Sequence, residues 1–447
     1  MDLVYYLISE YLWFIGLLVL FFVAYLGISK RQRHQIKASI KYQDNVNKML
    51  HVPTTLHPAI DPERCGGCGA CVTACPEGEI LKLINHRAVL VEATKCVGHG
   101  VCAEVCPFNA ISLVFGTKTR GMELPKLDTN YQTNVKGLYI AGELGGMGLI
   151  RNAVKQGKLA AEHACKTIKS DQKTDVEVLI VGAGPAGLSA AMSCHSAKVK
   201  YLCVEQNKFG GTIYNFPRQK IVMTQPIEFP KIGQLSFNQN KISKEDILDV
   251  WNKIRRLMKL RISENAKFIN LEKKGDIFIA TTSKGTITAK KVVLCLGVRG
   301  SPRKLGIPGE HLSKVTYNLL DPEQYQGQYI SIVGAGNAAV EAAQMLAHPK
   351  LQNKVHLLVR GASLNRCNEE NQRIIFEMEK RGLLKILYHT KAKEVLDKRL
   401  ILDSNGGPKK IKNDYLFIFA GAELPFKFLK DLGIKIGISY GDPLQAG

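Results

Sequence analysis

Acid is scarce in this chain. Across 447 residues, 39 Asp and Glu stand against 61 Lys and Arg, a formal charge of +22. A surplus of that size calls for an acidic counterpart: nucleic acid, an anionic membrane or an acidic partner. No nucleic-acid-binding motif is present, and none for haem attachment. The bias of disordered or collagen-like chains is missing too, since apolar residues make up 45% and charged residues 22%. A chain of this length is expected to hold roughly three domains, with more than one buried core. Nor are the cysteines spread as in a secreted disulfide scaffold. Seven of the twelve lie between Cys65 and Cys106. They form two runs, each ending in Cys-Pro, and that crowding in a long chain points to metal ligation.

Charge is absent from Tyr11 to Ile28 (YLWFIGLLVLFFVAYLGI). As a helix this run reaches about 27 Å at 1.5 Å per residue. That is close to a hydrocarbon core of about 30 Å, and Leu7 and Ile8 can lengthen it. Trp13, Tyr11 and Tyr25 suit the membrane interfaces. Asp2 and Glu10 precede the run, no basic residue does, and no small-residue cleavage site follows, which argues against a signal peptide. Lys30, Arg31, Arg33, His34, Lys37 and Lys41 come directly after it. By the positive-inside rule, a single span in the inner, cytoplasmic membrane leaves the short N-terminus outside and the remainder in the cytoplasm. Two readings of the basic stretch stand side by side. It is a helix laid along the anionic leaflet with Ile36, Ile40 and Leu50 on one side, or a solvated basic linker.

Cys65-Gly-Gly-Cys68-Gly-Ala-Cys71-Val-Thr-Ala-Cys75-Pro76 is a C-x2-C-x2-C-x3-C-P run. A tight glycine-eased loop wraps three thiolates round one face of a cubane, and a short helix carries the fourth cysteine to another. The second run is Cys96-Val-Gly-His99-Gly-Val-Cys102-Ala-Glu-Val-Cys106-Pro107, with His99 where a second cysteine would stand. Crossed ligation gives one full set, Cys65, Cys68, Cys71 and Cys106. The other set is Cys75, Cys96 and Cys102. This stretch, about Asp61 to Leu113, resembles the bacterial two-cluster ferredoxins, and "CPFNAISL" adds to the match. Zinc-ribbon spacing is different. Three readings of His99 stay open: a fourth ligand that raises the potential of its cluster, a bystander to a 3Fe–4S cluster, or a structural residue.

Val178 to Val181 reads as a short buried strand. Gly182-Ala-Gly184-Pro185-Ala186-Gly187 follows and opens a helix. The next strand, Tyr201 to Val204, ends at Glu205, eighteen residues after Gly187. In that context the glycines let backbone amides approach a pyrophosphate at a helix N-terminus, and Glu205 can hold ribose hydroxyls. A second copy runs from Tyr329–Val333 through Gly334-Ala-Gly336-Asn337-Ala338-Ala339 into another helix. Its second strand, Val355 to Val359, ends in Arg360 in place of an acid. Arg360, with Arg366, suits a 2′-phosphate and leans to NADPH over NADH; the plain alternative is a solvated loop residue.

Two such folds about 150 residues apart resemble the two-domain flavoprotein reductases of the thioredoxin reductase type. The resemblance implies FAD on the first and a nicotinamide nucleotide on the second. "VVLCLGVRGSPRKLGIPGE" (Val292 to Glu310) is similar to the crossover between domains. "GGTIYNFPRQK" (Gly210 to Lys220) is similar to the flavin-contacting loop, which brings Gly211 and Thr212 into the site. "IFAGAELPFKFLKDLGI" (Ile418 to Ile434) is similar to the return crossing. The family then adds a segment that closes the flavin site, whereas this chain stops at Gly447. Tyr131 to Lys169 resembles that segment. There Gly142 and Glu143 take the place near the flavin ribityl chain, and Arg151, Asn152 and Ala153 open the helix facing the isoalloxazine edge. The expectation is a circular permutation, with Gly142 and Glu143 within about 10 Å of the Gly182 loop. The alternative is an ordinary strand–helix linker domain.

The expected class is therefore α/β. Two Rossmann-like dinucleotide-binding domains are joined to a small α+β ferredoxin module and one N-terminal transmembrane helix. The anchor spans 1–29, the basic stretch 30–60, the ferredoxin 61–115 and the permuted segment 116–170. The FAD domain spans 175–305, the NAD(P) domain 306–417 and the return segment 418–447. The C-x-x-C that thioredoxin reductases carry before the second nucleotide motif is missing from Tyr317 to Tyr325. Cys165, Cys194, Cys203, Cys295 and Cys367 read as core residues. "YNLLDPEQYQGQ" is similar instead to ferredoxin–NADP reductases of the same fold. The resemblance implies an NAD(P)H-dependent enzyme with FAD and two iron–sulfur clusters, one 4Fe–4S, the other 4Fe–4S with His99 or 3Fe–4S. It would pass electrons to a quinone, a cytochrome subunit or a ferredoxin, or run from ferredoxin to NADPH. Membrane lipid is an expected partner, a homodimer stays among the expected assemblies, and nucleic acid is not expected. The competing reading is a redox sensor or relay subunit without independent turnover.

Overall fold

The computed structural model describes residues 2–442, apart from 48–50, 54–55, 79, 119–120, 147, 169–171, 219, 224–225, 236–240, 298–300, 365 and 424. The chain divides into two compact units, one up to Thr117 and one from Lys118 to Tyr440.

The first unit opens with α1, Asp2–Asn47, a single helix of 46 residues. No proline interrupts it, and after Gly27 it is rich in Lys, Arg and Gln, all good helix formers. Part of it is long and apolar enough to cross a membrane. Its last third corrects the solvated-linker expectation for the basic stretch. Ala38 and Asn45 are buried, Gln35, Lys41 and Tyr42 half-buried, and this i, i+3, i+7 stripe packs on the cysteine-rich module. Asn45 Nδ2 donates to the Val91 carbonyl at 2.8 Å, and Lys41 pairs with the buried Glu92 carboxylate. Ile36 and Ile40 stay exposed away from that stripe. Leu50 lies outside the described residues. The segment is thus no free linker: it continues α1 and docks on one side, with Ile36 and Ile40 on the open side.

The module repeats one motif twice. Strand β1, His57–Ile60, is followed by a cysteine loop and α2, Ala70–Ala74. A hairpin comes next, β2, Leu81–Ile84, with β3, Arg87–Leu90. A second loop leads into α3, Val101–Glu104, and then β4, Ile111–Val114, which pairs antiparallel with β1. Its core is small: Cys71, Leu81, Ala88 and Cys102, with Ile60, Leu83 and Leu113 around them. A core of that size is thin support without a bound group.

The second unit carries two large sheets, of seven and five strands, among smaller ones. Strand β5, Met122–Pro125, pairs antiparallel with Ile436–Ser439. Then come β6, Leu138–Ile140, α4, Ile150–Lys166, β7, Val176–Val181, α5, Pro185–Ser196, and β8, Tyr201–Val204. Strand β7 (VEVLIV) is almost wholly buried, as the middle of a parallel sheet requires. It lies between β8 and the long strand Gly285–Leu294. The far half of that long strand pairs in parallel with β6 (Val292 with Leu138, Leu294 with Ile140). Its near half pairs with Ile277–Thr282. So β6 completes the same sheet as β7, although 35 residues separate their ends. The second sheet is all parallel, ordered Val315–Thr316, Tyr415–Ile418, Tyr329–Val333, Lys354–Leu358 and Leu384–Leu387. Each sheet has its own apolar core.

Candidate functional site

At the first dinucleotide loop, Gly182 has φ +101, and a Cβ there would strike the Cys295 carbonyl oxygen. A Cβ on Gly187 would overlap the Gly182 carbonyl oxygen. Only glycine lets the strand, loop and α5 close so tightly. Glu205 is buried, its carboxylate accepting from Ala183 N–H at 2.8 Å and Asn207 N–H at 3.0 Å. Those bonds take half of its acceptor capacity and leave the rest for ribose hydroxyls. Gly210 N–H donates to the Ala183 carbonyl, and Gly211 passes against Gly184, so the following loop with Thr212 covers the dinucleotide turn.

The strand–helix segment before β7 reaches this turn. A Cβ on Gly142 would lie 3.3 Å from Ala186 Cβ and 4.0 Å from Ala153 Cβ. Gly142, Ala153 and Ala186 thus converge where α4 and α5 begin, well inside the distance expected. Glu143 is half-buried in the 3-10 turn that follows, and Arg151 and Asn152 are half-buried in the first turn of α4. Gly142 has φ +93 and ψ −159, a conformation open to glycine alone. Gln156 Oε1 holds it, accepting from Gly142 N–H at 2.7 Å. Gln156 carried no signal in the sequence, because one amide in an amphipathic helix resembles a solvated residue. Replacing it with leucine orphans the buried Gly142 N–H, at a cost of about 1–3 kcal/mol. We expect Gln156→Leu to purify with less flavin and a lower melting temperature, and Gln156→Glu, which keeps the acceptor, to recover both.

In the second copy, Gly334 has φ +146, and a Cβ there would sit 2.7 Å from the Phe419 carbonyl oxygen. Gly336 caps α6, Asn337–Leu346, where Ala338 is exposed and Ala339 buried. Asn337 Oδ1 accepts from Asn368 N–H at 2.8 Å, so it braces the neighbouring loop. Arg360 and Arg366 are both exposed, Arg360 two residues past the end of Lys354–Leu358. Charged pairs tie the two nucleotide folds together. Arg218 Nη2 meets Asp321 and Glu323 carboxylates at 3.1 Å each, and Lys220 Nζ meets Glu341 at 2.8 Å. Separations of more than 100 residues hid these pairs from sequence reading. Cys165 Sγ approaches Cys194 Sγ to 3.7 Å across the α4–α5 contact, a meeting set by packing and not by spacing.

The cysteine loops enclose two cavities. Cys65, Cys68, Cys71 and Cys106 line one, with Phe108 at its rim. Cys75, Cys96, Cys102 and His99 line the other. Each cavity mixes cysteines from both runs. Among the described residues, no three of these side chains crowd close enough to share one metal ion. A cluster asks for the opposite, one ligand on each of several irons. Ala88 N–H donates to Cys65 Sγ at 3.4 Å and Ala110 N–H to Cys106 Sγ at 3.3 Å, bonds that stabilise thiolates. Burial, then the nearby Cys65 and Cys68, pushes the Cys71 thiol up. Burial, then Cys96, pushes Cys102 up to about 12. Such buried, mutually repelling sulfurs fit a cationic group that relieves both costs.

Comparison with known proteins agrees with both halves. The model of the pyridine nucleotide-disulphide oxidoreductase family matches residues 179–443, and that of the 4Fe-4S dicluster domain matches 57–107. Neither match includes Tyr131–Lys169. The ferredoxin–NADP reductase of Ignicoccus hospitalis is 26% identical over 269 residues, 58% of this chain and 82% of that protein. Bacilliredoxin reductase Bdr of Bacillus subtilis is 25% identical over 273 residues, 60% of this chain and 83% of that protein. The solved bacillithiol disulfide reductase Bdr of Staphylococcus aureus superposes with a TM-score of 0.53 at 23% identity, covering 59% of this chain and 81% of its own. At that identity the likeness is one of fold.

Proposed function

This chain belongs to the pyridine nucleotide-disulphide oxidoreductase family, and from that premise we propose a membrane-anchored enzyme that moves electrons between NADPH and a membrane or ferredoxin-type carrier through FAD and two iron–sulfur clusters. It is an NAD(P)H-dependent FAD oxidoreductase with a 4Fe–4S ferredoxin domain. The observation that carries the finer reading is the pair of cysteine-lined cavities, each fed by both runs, in one chain with two nucleotide folds. Bound flavin accepts two electrons from a nicotinamide and releases them singly, which is what a cluster requires.

In this reading the backbone amides around Gly182–Gly187 hold the FAD pyrophosphate, and Glu205 the adenine-side ribose. Gly142, Glu143 and the start of α4 close the flavin site, so the chain is a circular permutant of its relatives. The place of β6 in the β7 sheet supports this. The amides at Gly334–Ala339 hold the nicotinamide pyrophosphate, and Arg360 the 2′-phosphate. One cluster takes Cys65, Cys68, Cys71 and Cys106; the other takes Cys75, Cys96 and Cys102 beside His99. No dithiol step enters, since Tyr317–Tyr325 lacks cysteine. The apolar part of α1 anchors the chain in the cytoplasmic membrane, with the basic residues after it inside.

The test is anaerobic. NADPH, then NADH, is added to the purified full chain while flavin absorbance and iron–sulfur EPR are followed. We expect flavin to bleach faster with NADPH and cluster signals to follow. Flavin that bleaches with neither nucleotide would overturn the reading in favour of a sensor or relay. Clusters that stay silent even to a strong low-potential donor would overturn the internal chain.

A further inference from the structure

The two cluster loops are built alike but finished differently. Cys68 stands between Gly67 (φ +65) and Gly69 (φ +79), with Gly69 capping α2. His99 stands between Gly98 (φ +80) and Gly100 (φ +83), with Gly100 capping α3. The backbone that offers a thiolate in one loop therefore offers an imidazole in the other. A second exchange accompanies the first. Two residues after the remote cysteine of the first site comes Phe108, whose ring packs on Gly66 at the rim of that cavity. Two residues after the remote cysteine of the second site comes Glu77. Its Oε1 faces His99 Nε2 across 3.6 Å, with both side chains largely sheltered. Thiolate goes with phenylalanine, imidazole with carboxylate.

We propose that His99 ligates the second cluster through Nδ1 and that Glu77 is its positioning residue, taking the Nε2–H. The inference rests on the two-cluster reading above. A carboxylate behind a ligating imidazole fixes its tautomer and ring orientation and raises its basicity. It also returns to the site the negative charge lost with the thiolate. The second site thus becomes a three-thiolate, one-imidazole 4Fe–4S centre, its potential above that of an all-cysteine cluster and moderated by Glu77.

Pulsed EPR on the dithionite-reduced full chain, with iron analysis and a redox titration, tests this. The wild-type spectrum is expected to show nitrogen coupling on one cluster and none on the other. His99→Cys keeps the iron, loses that coupling and shifts the potential down. His99→Ala loses iron from the second site alone. Glu77→Gln, which keeps an acceptor, retains the coupling and shifts the potential up. A 3Fe–4S signal in the oxidised wild type, or reduced clusters without nitrogen coupling, overturns His99 ligation while leaving the two-cluster reading intact. Unchanged potential in Glu77→Gln overturns the role of Glu77. A chain that holds no iron at either site overturns the underlying reading instead.

Discussion

Gly334→Glu is expected to abolish nicotinamide oxidation while flavin and iron stay bound. The position leaves no room: φ is +146, and a Cβ would lie 2.7 Å from the Phe419 carbonyl oxygen and 2.8 Å from Ala339 Cβ. Phe419 N–H in turn donates to the Val333 carbonyl, so strand, turn and return crossing are locked as one piece. A carboxylate forced into this turn also meets the pyrophosphate with like charge, at the helix end built to attract anions. Both effects fall on the bound nucleotide, and NADPH-dependent flavin bleaching should slow at least about a thousandfold, roughly 4 kcal/mol of lost stabilisation. The apolar core around Ile180, Leu188 and Val293, behind the first dinucleotide turn, is separate from that around Ile330, Ile332 and Val340, so damage should stop at that boundary. Stopped-flow absorbance at the flavin band, with flavin and iron counted beforehand, checks this. Loss of FAD in the variant would overturn the assignment of the two nucleotide folds.

What could be read in the sequence was whatever chemistry ties to fixed spacing. Cubane ligation demands short, regular cysteine intervals, so both runs stood out. A pyrophosphate turn demands glycines between a strand and a helix, and both turns lie there in the structure. What could not be read depends on meetings set by tertiary packing. Nothing in Lys30–Asn47 announces that Ala38 and Asn45 face a partner, because basic residues surround them and the stripe is only three turns long. Glu77 follows a Cys-Pro pair as an ordinary surface acid would. Gln156 acts by holding one backbone N–H fourteen residues away. Lys220 and Glu341 are 121 residues apart, and only the folded chain brings them to 2.8 Å. Interactions of this kind carry no period and no motif.

The placement of Tyr131–Lys169 was legible only as a resemblance, and Gly157→Val puts it to a direct test. Gly157 lies on the buried face of α4, where a Cβ would overlap the Ala186 carbonyl oxygen and press to 3.0 Å from Ala186 Cα. These are backbone atoms at the start of α5, so no side-chain rotation relieves the clash. Either α4 lifts away or the dinucleotide turn is pushed out of shape. Overpacking a buried site costs about 1–3 kcal/mol, and backbone-to-backbone contact puts this case at the upper end. If α4 closes the flavin site, the cost falls on FAD binding, and flavin content should drop at least about tenfold, more than 1.4 kcal/mol. Iron content and NADPH binding, carried by other cores, should hold. Lys155→Val is the control, since it puts the same branched side chain on the exposed face of α4 and costs only helix propensity, about 0.5 kcal/mol. Wild-type flavin content in Gly157→Val would mean that the segment is a bystander to the cofactor, whatever its sequence resembles. Its loss there, with flavin kept in Lys155→Val, would tie a segment lying ahead of β7 in the chain to the cofactor held by the turn that follows β7.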